Sequence, residues 1–227
     1  MIRYVLSYPK CGRTWVRVFM KWYFDLLGGD MPEIFYVHKE RDAFKQGHKR
    51  GDTDFRCVLL WRQPCDVMVS HYFEKTVRGR APRSKGIYDE ALSNISSFIR
   101  NKDLGIKEYR RSLTKWLSPD RTQLVIEYER LFDNIWAEIL TYFELPVDID
   151  AIAKINEECK FENIRNDMDR FLEFKVPKRY FAIENRRSTA NPKNPEAHKF
   201  RRGKVGGYVD YLSPEDIKYI EKEWGKL

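Results

Sequence analysis

The chain has 227 residues, which is enough for one α/β domain with a full hydrophobic core and too few for two large domains. Hydrophobic residues make up 42% and charged residues 33%, the composition of an ordinary globular protein without low-complexity segments. The formal net charge of +8 favours anionic partners, such as nucleotides, nucleic acid, glycans or membrane surfaces, but does not choose among them.

Strands and helices are predicted to alternate along the chain. The predicted strands cover residues 2–7, 34–38, 55–61 and 123–127. The predicted helices cover residues 14–27, 65–76, 89–100, 106–117, 130–143, 149–159 and 214–224. Alternation of this kind favours a parallel sheet that helices cover on both faces. No composition shift divides the chain, so we expect one domain over residues 1–227.

Cysteine usage and hydropathy indicate the compartment. Cys11, Cys57, Cys65 and Cys159 form no C-x-x-C pair and have no histidine at zinc spacing, so a reducing compartment and no metal are expected. We recognise no signal peptide and no apolar run long enough to cross a bilayer. The sequence therefore predicts a cytoplasmic protein without stable membrane insertion.

The turn after the first predicted strand has the features of an anion-binding loop. It reads Tyr8-Pro9-Lys10-Cys11-Gly12-Arg13-Thr14-Trp15. A strand, a turn and a helix in this order present backbone N–H groups to an anion. Gly12 allows close approach of a phosphate, and Lys10 adds a compact positive charge. Because Lys10 precedes the only glycine, this is not a Walker A loop. An ordinary βα turn remains the alternative.

Residues 8–15 resemble the 5′-phosphosulfate loop of sulfotransferases that use 3′-phosphoadenosine 5′-phosphosulfate (PAPS), usually written Y-P-K-S-G-T-T-W. Cys11 stands in place of the usual serine and Arg13 in place of the first threonine. The resemblance implies a P-loop-like three-layer α/β fold with a central parallel sheet flanked by helices. It also implies that the loop binds the donor through Lys10, Cys11, Gly12, Arg13, Thr14 and Trp15.

Two further segments resemble phosphate-binding motifs of the same family. Residues 62–70 fit R-x-P-x-D-x-x-x-S, which implies that Arg62 and Ser70 bind the 3′-phosphate. Residues 201–208 resemble R-K-G-x-x-G-x-W, with Arg202 for lysine and Tyr208 for tryptophan. The phosphate-binding residues there would be Arg201, Arg202 and Gly203. Without the other motifs, this last segment could equally be a basic surface loop.

Aromatic residues are the candidates for the adenine site. Tyr128, which follows the fourth predicted strand, stands where the family has a Y-E-D segment and would reach the adenine edge. Phe161 matches the phenylalanine of the family's T-S-F segment. Trp15 and Phe161 would stack on the two faces of the ring. Each of them could equally be an ordinary core aromatic.

His38 is the candidate general base. It ends the second predicted strand, where the family carries its catalytic histidine, and His48 is the alternative in the following basic loop. The resemblance implies that Lys10 stabilises the negative charge that develops on the leaving phosphate.

The predicted function is transfer of a sulfuryl group from PAPS to an acceptor hydroxyl or amine, with adenosine 3′,5′-bisphosphate (PAP) as product and no metal. The acceptor would be a small molecule, a glycan or a lipid, with no nucleic-acid partner. Neither the acceptor nor the oligomeric state can be read from the sequence. The alternatives are a P-loop kinase that uses ATP and Mg²⁺, a nucleic-acid-binding protein, and a catalytically inactive binding protein with the sulfotransferase fold.

Overall fold

The computed structural model of the chain describes residues 1–38, 54–77, 89–117, 123–133, 135–160, 162–163 and 205–225. The chain divides into two compact units. The first unit comprises residues 1–63 and 115–164, and the second comprises residues 64–114 and 165–227.

The first unit is built on a parallel sheet with the strand order β2-β1-β3-β4. The strands are β1 (Ile2–Ser7), β2 (Ile34–Val37), β3 (Phe55–Trp61) and β4 (Gln123–Glu127). The two central strands, β1 and β3, are the most continuously buried, because neighbouring strands and helices cover them. The predicted parallel α/β fold is confirmed, and the predicted strand bounds differ only by the last residue of β2.

The register of the sheet places the carboxyl ends of the strands along one edge. The pairs at this edge are Leu6 with Val37, Ser7 with Leu60, and Trp61 with Glu127. The residues that directly follow the four strands are Tyr8, His38, Arg62 and Tyr128. In open α/β sheets, ligands bind at this edge, where successive connections diverge between two neighbouring strands. Here that point lies between β1 and β3, since the chain passes from β1 to β2 on one side and from β3 to β4 on the other.

The described α-helices follow the predicted pattern with two differences. They are α1 (Arg13–Leu26), α2 (Pro64–Thr76), α3 (Asp89–Ser93), α4 (Ile95–Arg100), α5 (Ile106–Trp116), α6 (Trp136–Tyr142), α7 (Ile149–Glu158) and α8 (Pro214–Trp224). The predicted helix at 89–100 is divided, because the Asn94 side chain accepts a hydrogen bond from the Ser97 amide and starts a new helix. The predicted helix at 130–143 is wrong at its start, where Tyr128–Phe132 form a 3₁₀ helix instead.

The core of the first unit fixes α1 against the helices that follow β4. Phe19 of α1 stacks on Trp136 of α6, with ring centroids 3.8 Å apart and planes at 3°. The Tyr23 hydroxyl donates to the Pro146 carbonyl and accepts from the Asp148 amide, both at 2.9 Å. Buried aromatic contacts of this kind contribute about 0.5–1.5 kcal/mol each beyond their area. They hold the helix that begins at the candidate phosphate loop.

Within the described parts of the chain, none of the helices is both long enough and apolar enough to cross a membrane.

Candidate functional site

The loop between β1 and α1 has an unusual backbone. Lys10 and Gly12 both have left-handed backbone angles, with φ of 77° and 89°. For Lys10 this conformation costs about 1–2 kcal/mol, a strain that is typical of functional loops. The Gly12 carbonyl accepts hydrogen bonds from the Trp15 amide at 2.7 Å and the Val16 amide at 3.2 Å, so α1 begins directly after it.

The amino end of α1 is open to an anion. Gly12 is the N-cap residue, no side chain forms a capping hydrogen bond, and the first turn carries no acidic residue. The first amides of a helix have no acceptor within the helix, and the helix dipole makes this end positive. The arrangement therefore suits a phosphate or sulfate, as predicted for residues 10–15.

Gly12 is also packed too closely for any other residue. A Cβ atom added to it would lie 2.6 Å from Tyr128 Cδ2 and 2.9 Å from Leu131 Cδ1. These are ring and methyl carbons of buried side chains, so the loop could not accept the extra atom without moving. Tyr128 and Leu131, which follow β4, thus fix the position of the loop at the sheet edge.

Tyr128 joins the loop to Arg62. The central carbon of the Arg62 guanidinium lies 4.2 Å from the centroid of the Tyr128 ring, a cation–π contact. The same ring contacts the Gly12 backbone region. The structure therefore brings Gly12, Arg62 and Tyr128 together at the sheet edge, although they come from three different strand ends.

Trp15 packs against Tyr128, which the sequence indicated, and against Phe132, which it did not. Its ring is edge-on to Phe132 at 4.5 Å and to Tyr128 at 6.0 Å. Phe132 follows Tyr128 by four residues, a spacing that could have indicated a shared face on a helical segment. Phe161, the expected partner of Trp15 in stacking on adenine, lies outside the described residues.

Buried polar atoms near the loop that have no hydrogen-bond partner in the described structure include Ser7 Oγ, at the end of β1, and Trp15 Nε1, in the first turn of α1. Both residues are more than nine-tenths buried. Unpaired buried polar atoms are rare in native proteins, and each requires an explanation. A polar ligand at the phosphate loop would supply one, so the residues present fit such a ligand.

His38 has a defined tautomer. Its Nδ1 lies 2.9 Å from the Ser7 carbonyl oxygen, which can only accept, so Nδ1 carries the proton and donates. The Arg13 guanidinium, which can only donate, forms a hydrogen bond through Nη2 to Nε2 of the same ring. The imidazole is therefore neutral, with the lone pair on Nε2, which is the form that a general base requires. His48, the alternative base, lies outside the described residues.

The second unit contains the other residues of the second motif. Asp66, in the first turn of α2, is buried and accepts a hydrogen bond from the Gly206 amide at 2.9 Å. This bond connects the second motif to the last matched glycine of the third. Ser70 is half-buried on the same helix, and its joint action with Arg62 on a 3′-phosphate stays a prediction. Arg201, Arg202 and Gly203 lie outside the described residues.

Among the described residues, no group of three or more His, Cys, Asp or Glu side chains could hold a metal ion.

Comparison with protein families gives a match to the sulfotransferase domain over residues 30–226. The chain belongs to the sulfotransferase domain family. The matched region begins after the loop at residues 8–15, so the assignment of that loop depends on its own sequence and geometry.

Two curated sulfotransferases of Arabidopsis thaliana are similar to the chain. Cytosolic sulfotransferase 15 is 24% identical over 210 residues, which is 86% of this chain and 52% of the relative. Cytosolic sulfotransferase 7 is 22% identical over 203 residues, which is 84% of this chain and 56% of the relative. The chain thus spans about half the length of these relatives.

Solved sulfotransferase structures share the fold. Mouse sulfotransferase SULT7A1 complexed with PAP superposes with a TM-score of 0.67 at 16% identity, covering 99% of this chain and 82% of that one. Retinol dehydratase in complex with androsterone and the inactive cofactor PAP gives a TM-score of 0.62 at 15% identity, covering 100% and 81%. The sheet and its flanking helices are therefore those of the P-loop-like sulfotransferase fold.

Proposed function

We propose that this protein transfers a sulfuryl group from PAPS to a hydroxyl or amine of an acceptor. The observation that carries the proposal is the sheet edge of the first unit. There an open helix end with a left-handed glycine, an arginine at the next strand end and a neutral histidine lie together. Family membership supports the reaction class, and the two structural relatives were both solved with PAP.

The proposed donor site follows the three motifs. The 5′-phosphosulfate would lie in the loop formed by Lys10, Cys11, Gly12, Arg13, Thr14 and Trp15. The 3′-phosphate would be held by Arg62, Ser70, Arg201, Arg202 and Gly203. Adenine would lie against Trp15, Tyr128 and Phe161. The unpaired Trp15 Nε1 supports this placement, because a bound nucleotide or its water could accept its hydrogen bond.

The proposed chemistry assigns one role to each of two side chains. PAPS supplies a sulfuryl group that is already bonded to a phosphate leaving group. His38 Nε2 takes the proton of the acceptor as the acceptor atom bonds to sulfur, while the bond between sulfur and the bridging oxygen breaks. The electron pair of that bond stays on the phosphate, where the Lys10 ammonium stabilises the charge. Because a sulfuryl group carries less charge than a phosphoryl group, we propose that no metal takes part.

We propose a small molecule, a glycan or a lipid as the acceptor, and the cytoplasm as the place of the reaction. Residues 1–227 would act as one sulfotransferase domain.

A transfer assay tests this function directly. The purified protein is incubated with PAPS, EDTA and pools of phenols, alcohols, sugars or amines, and PAP and sulfated products are measured by mass spectrometry. We expect PAP release that depends on one acceptor pool and is unaffected by EDTA. Phosphoryl transfer from ATP that requires Mg²⁺, without any transfer from PAPS, would instead identify a kinase.

One observation favours a second candidate, a binding protein that has the fold but no activity. The Arg13 guanidinium occupies the lone pair of His38 Nε2, which is the atom that the reaction needs. A protein that binds PAP but gives no turnover with any acceptor would support this second function.

A further inference from the structure

The hydrogen bond between Arg13 and His38 occupies the atom that His38 would use as a general base. Nε2 has one lone pair, and an arginine in front of it prevents an acceptor hydroxyl from donating to it. The sulfotransferase loop that residues 8–15 resemble is usually written with threonine at this position. Arg13 therefore departs from the usual form of the loop and brings a guanidinium to His38.

Arg13 also belongs to the anion loop. It is the first residue of α1 and directly follows Gly12, so its side chain begins beside the open helix end. A guanidinium forms its strongest hydrogen bonds with phosphate or sulfate oxygens, which it can contact through two N–H groups at once. A neutral imidazole offers a single acceptor and no charge. An anion in the loop would thus compete with His38 for the same guanidinium.

We propose that Arg13 is a latch on the general base: it covers His38 Nε2 in the free protein and turns to the donor's 5′ anion when the donor binds. The inference rests on the proposed function. The Ser7 carbonyl keeps the proton on Nδ1 throughout, so the departure of Arg13 exposes a lone pair and not an N–H. Arg13 contacts the donor directly in this scheme, and the base becomes available only after the donor is bound.

Chemical labelling of histidine tests the latch. Diethyl pyrocarbonate reacts with an unprotonated imidazole nitrogen, which attacks the reagent's carbonyl and displaces ethyl carbonate. Nε2 is the reactive atom of His38, since Nδ1 is protonated and bonded to Ser7. Peptide mass spectrometry measures the labelling rate at His38 separately from His48, His71 and His198. The probe ligand is PAP, which lacks the sulfuryl group and so leaves the acceptor side of the loop open.

The expected result is opposite to ordinary ligand protection. Saturating PAP should increase the labelling rate of His38 by about fivefold or more, within the range of typical coupling between two sites. Arg13→Thr should label rapidly with and without PAP. Arg111→Thr is the charge-matched control, since it removes the same charge from a surface ion pair with Glu108. In this variant PAP should still increase the labelling rate of His38.

A thermal shift with PAP on the same samples separates the possible failures. If PAP stabilises the wild type but His38 labelling slows or does not change, the latch is wrong and the proposed function stands. If PAP causes no stabilisation, the donor site is wrong and the latch fails with it. Both decisions use the wild type alone, so they do not depend on whether Arg13→Thr folds.

Discussion

Two helix amino ends in this chain are built in opposite ways. At α8, Ser213 is the N-cap and accepts a hydrogen bond from the Asp216 amide, and Glu215 and Asp216 provide negative charge in the first turn. At α1, Gly12 is the N-cap, no side chain caps the end, and the first turn has no acid. A closed end satisfies its amides with its own side chains, whereas an open end leaves them for a ligand.

The charges around the two ends sharpen the contrast. The Asp216 carboxylate is buried and accepts from Ser96 at 2.8 Å and from Arg100, so its charge is balanced within the protein. At the amino end of α1, Lys10 in the loop and Arg13 in the first turn have the same sign as the helix dipole there. An anion bound at this end would be stabilised by the dipole and by both side chains. We therefore expect loss of a charged side chain at the α1 end to affect turnover and loss of one at the α8 end to affect stability.

The largest expected effect is that of His38→Ala on turnover. Removal of a general base should lower kcat by on the order of 10²–10⁴-fold. The affinity for PAP should not fall, because the base acts on the acceptor, and it should rise if His38 competes with the donor for Arg13. The measurement is kcat together with PAP affinity by calorimetry. Survival of turnover in His38→Ala, with His48→Ala inactive, would move the base into the following loop.

Lys10→Ala should lower kcat by on the order of 10²-fold, as expected for the loss of one preorganised donor that meets charge developing in the transition state. Lys10→Arg should restore little of the lost kcat, since a planar guanidinium does not replace a compact ammonium group. Lys10→Gly is the matched comparison, because it lacks the ammonium but fits the left-handed backbone. It should be as inactive as Lys10→Ala but more stable by about 1 kcal/mol. An effect of Lys10→Ala on PAP affinity alone would make Lys10 only an anchor.

Gly12→Ala should lower the free energy of unfolding by about 2–4 kcal/mol, the sum of left-handed strain and overpacking against Tyr128 and Leu131. Gly28→Ala is the control. Gly28 has a φ of 69° but nothing within 4 Å of an added Cβ, so it should lose only the strain, about 1–2 kcal/mol. Urea denaturation of both variants gives the difference. Equal losses of unfolding free energy in the two variants would mean that Tyr128 does not pack tightly against Gly12.

The acidic residue Asp216 at the amino end of α8 should affect how stability depends on pH. Burial alone would raise the pKa of Asp216, but hydrogen bonds from Arg100 and Ser96 and the Arg100 charge lower it below its usual value of 3.8. The stabilisation is therefore complete above pH 3.8 and is lost as the pH falls through the lowered value. In Asp216→Asn, the free energy of unfolding should fall less steeply with acid than in the wild type. Identical pH profiles would mean that the Asp216 carboxylate does not stabilise the folded protein at this helix end.

The sequence predicts the sheet well and the contacts across its edge poorly. Continuous apolar runs bounded by turn residues are enough to locate β1 and β3, and Ser213 with Pro214 marks the start of α8. Residues 130–132 of the 3₁₀ helix at Tyr128–Phe132 are predicted as the start of an α-helix, because helical spacing does not distinguish the two helix types there.

The hydrogen bond between Arg13 and His38 cannot be predicted from sequence patterns. The two residues are 25 positions apart, and they meet because β2 pairs with β1 in the register that sets Val37 beside Leu6. No local signal encodes that register. The packing of Tyr128 on Gly12 has the same origin, since it joins the ends of two strands that are not neighbours in the sheet.

Ligand-induced thermal stabilisation tests the central claim most directly. In EDTA, PAP at about one hundred times its dissociation constant should stabilise the wild type by about 2.7 kcal/mol. 5′-AMP at the same concentration should have a much smaller effect, because it lacks the 3′-phosphate assigned to Arg62 and Ser70. In Arg62→Ala the advantage of PAP over 5′-AMP should shrink. Equal stabilisation by the two nucleotides, or none by either, would contradict the account of this edge as a PAPS site.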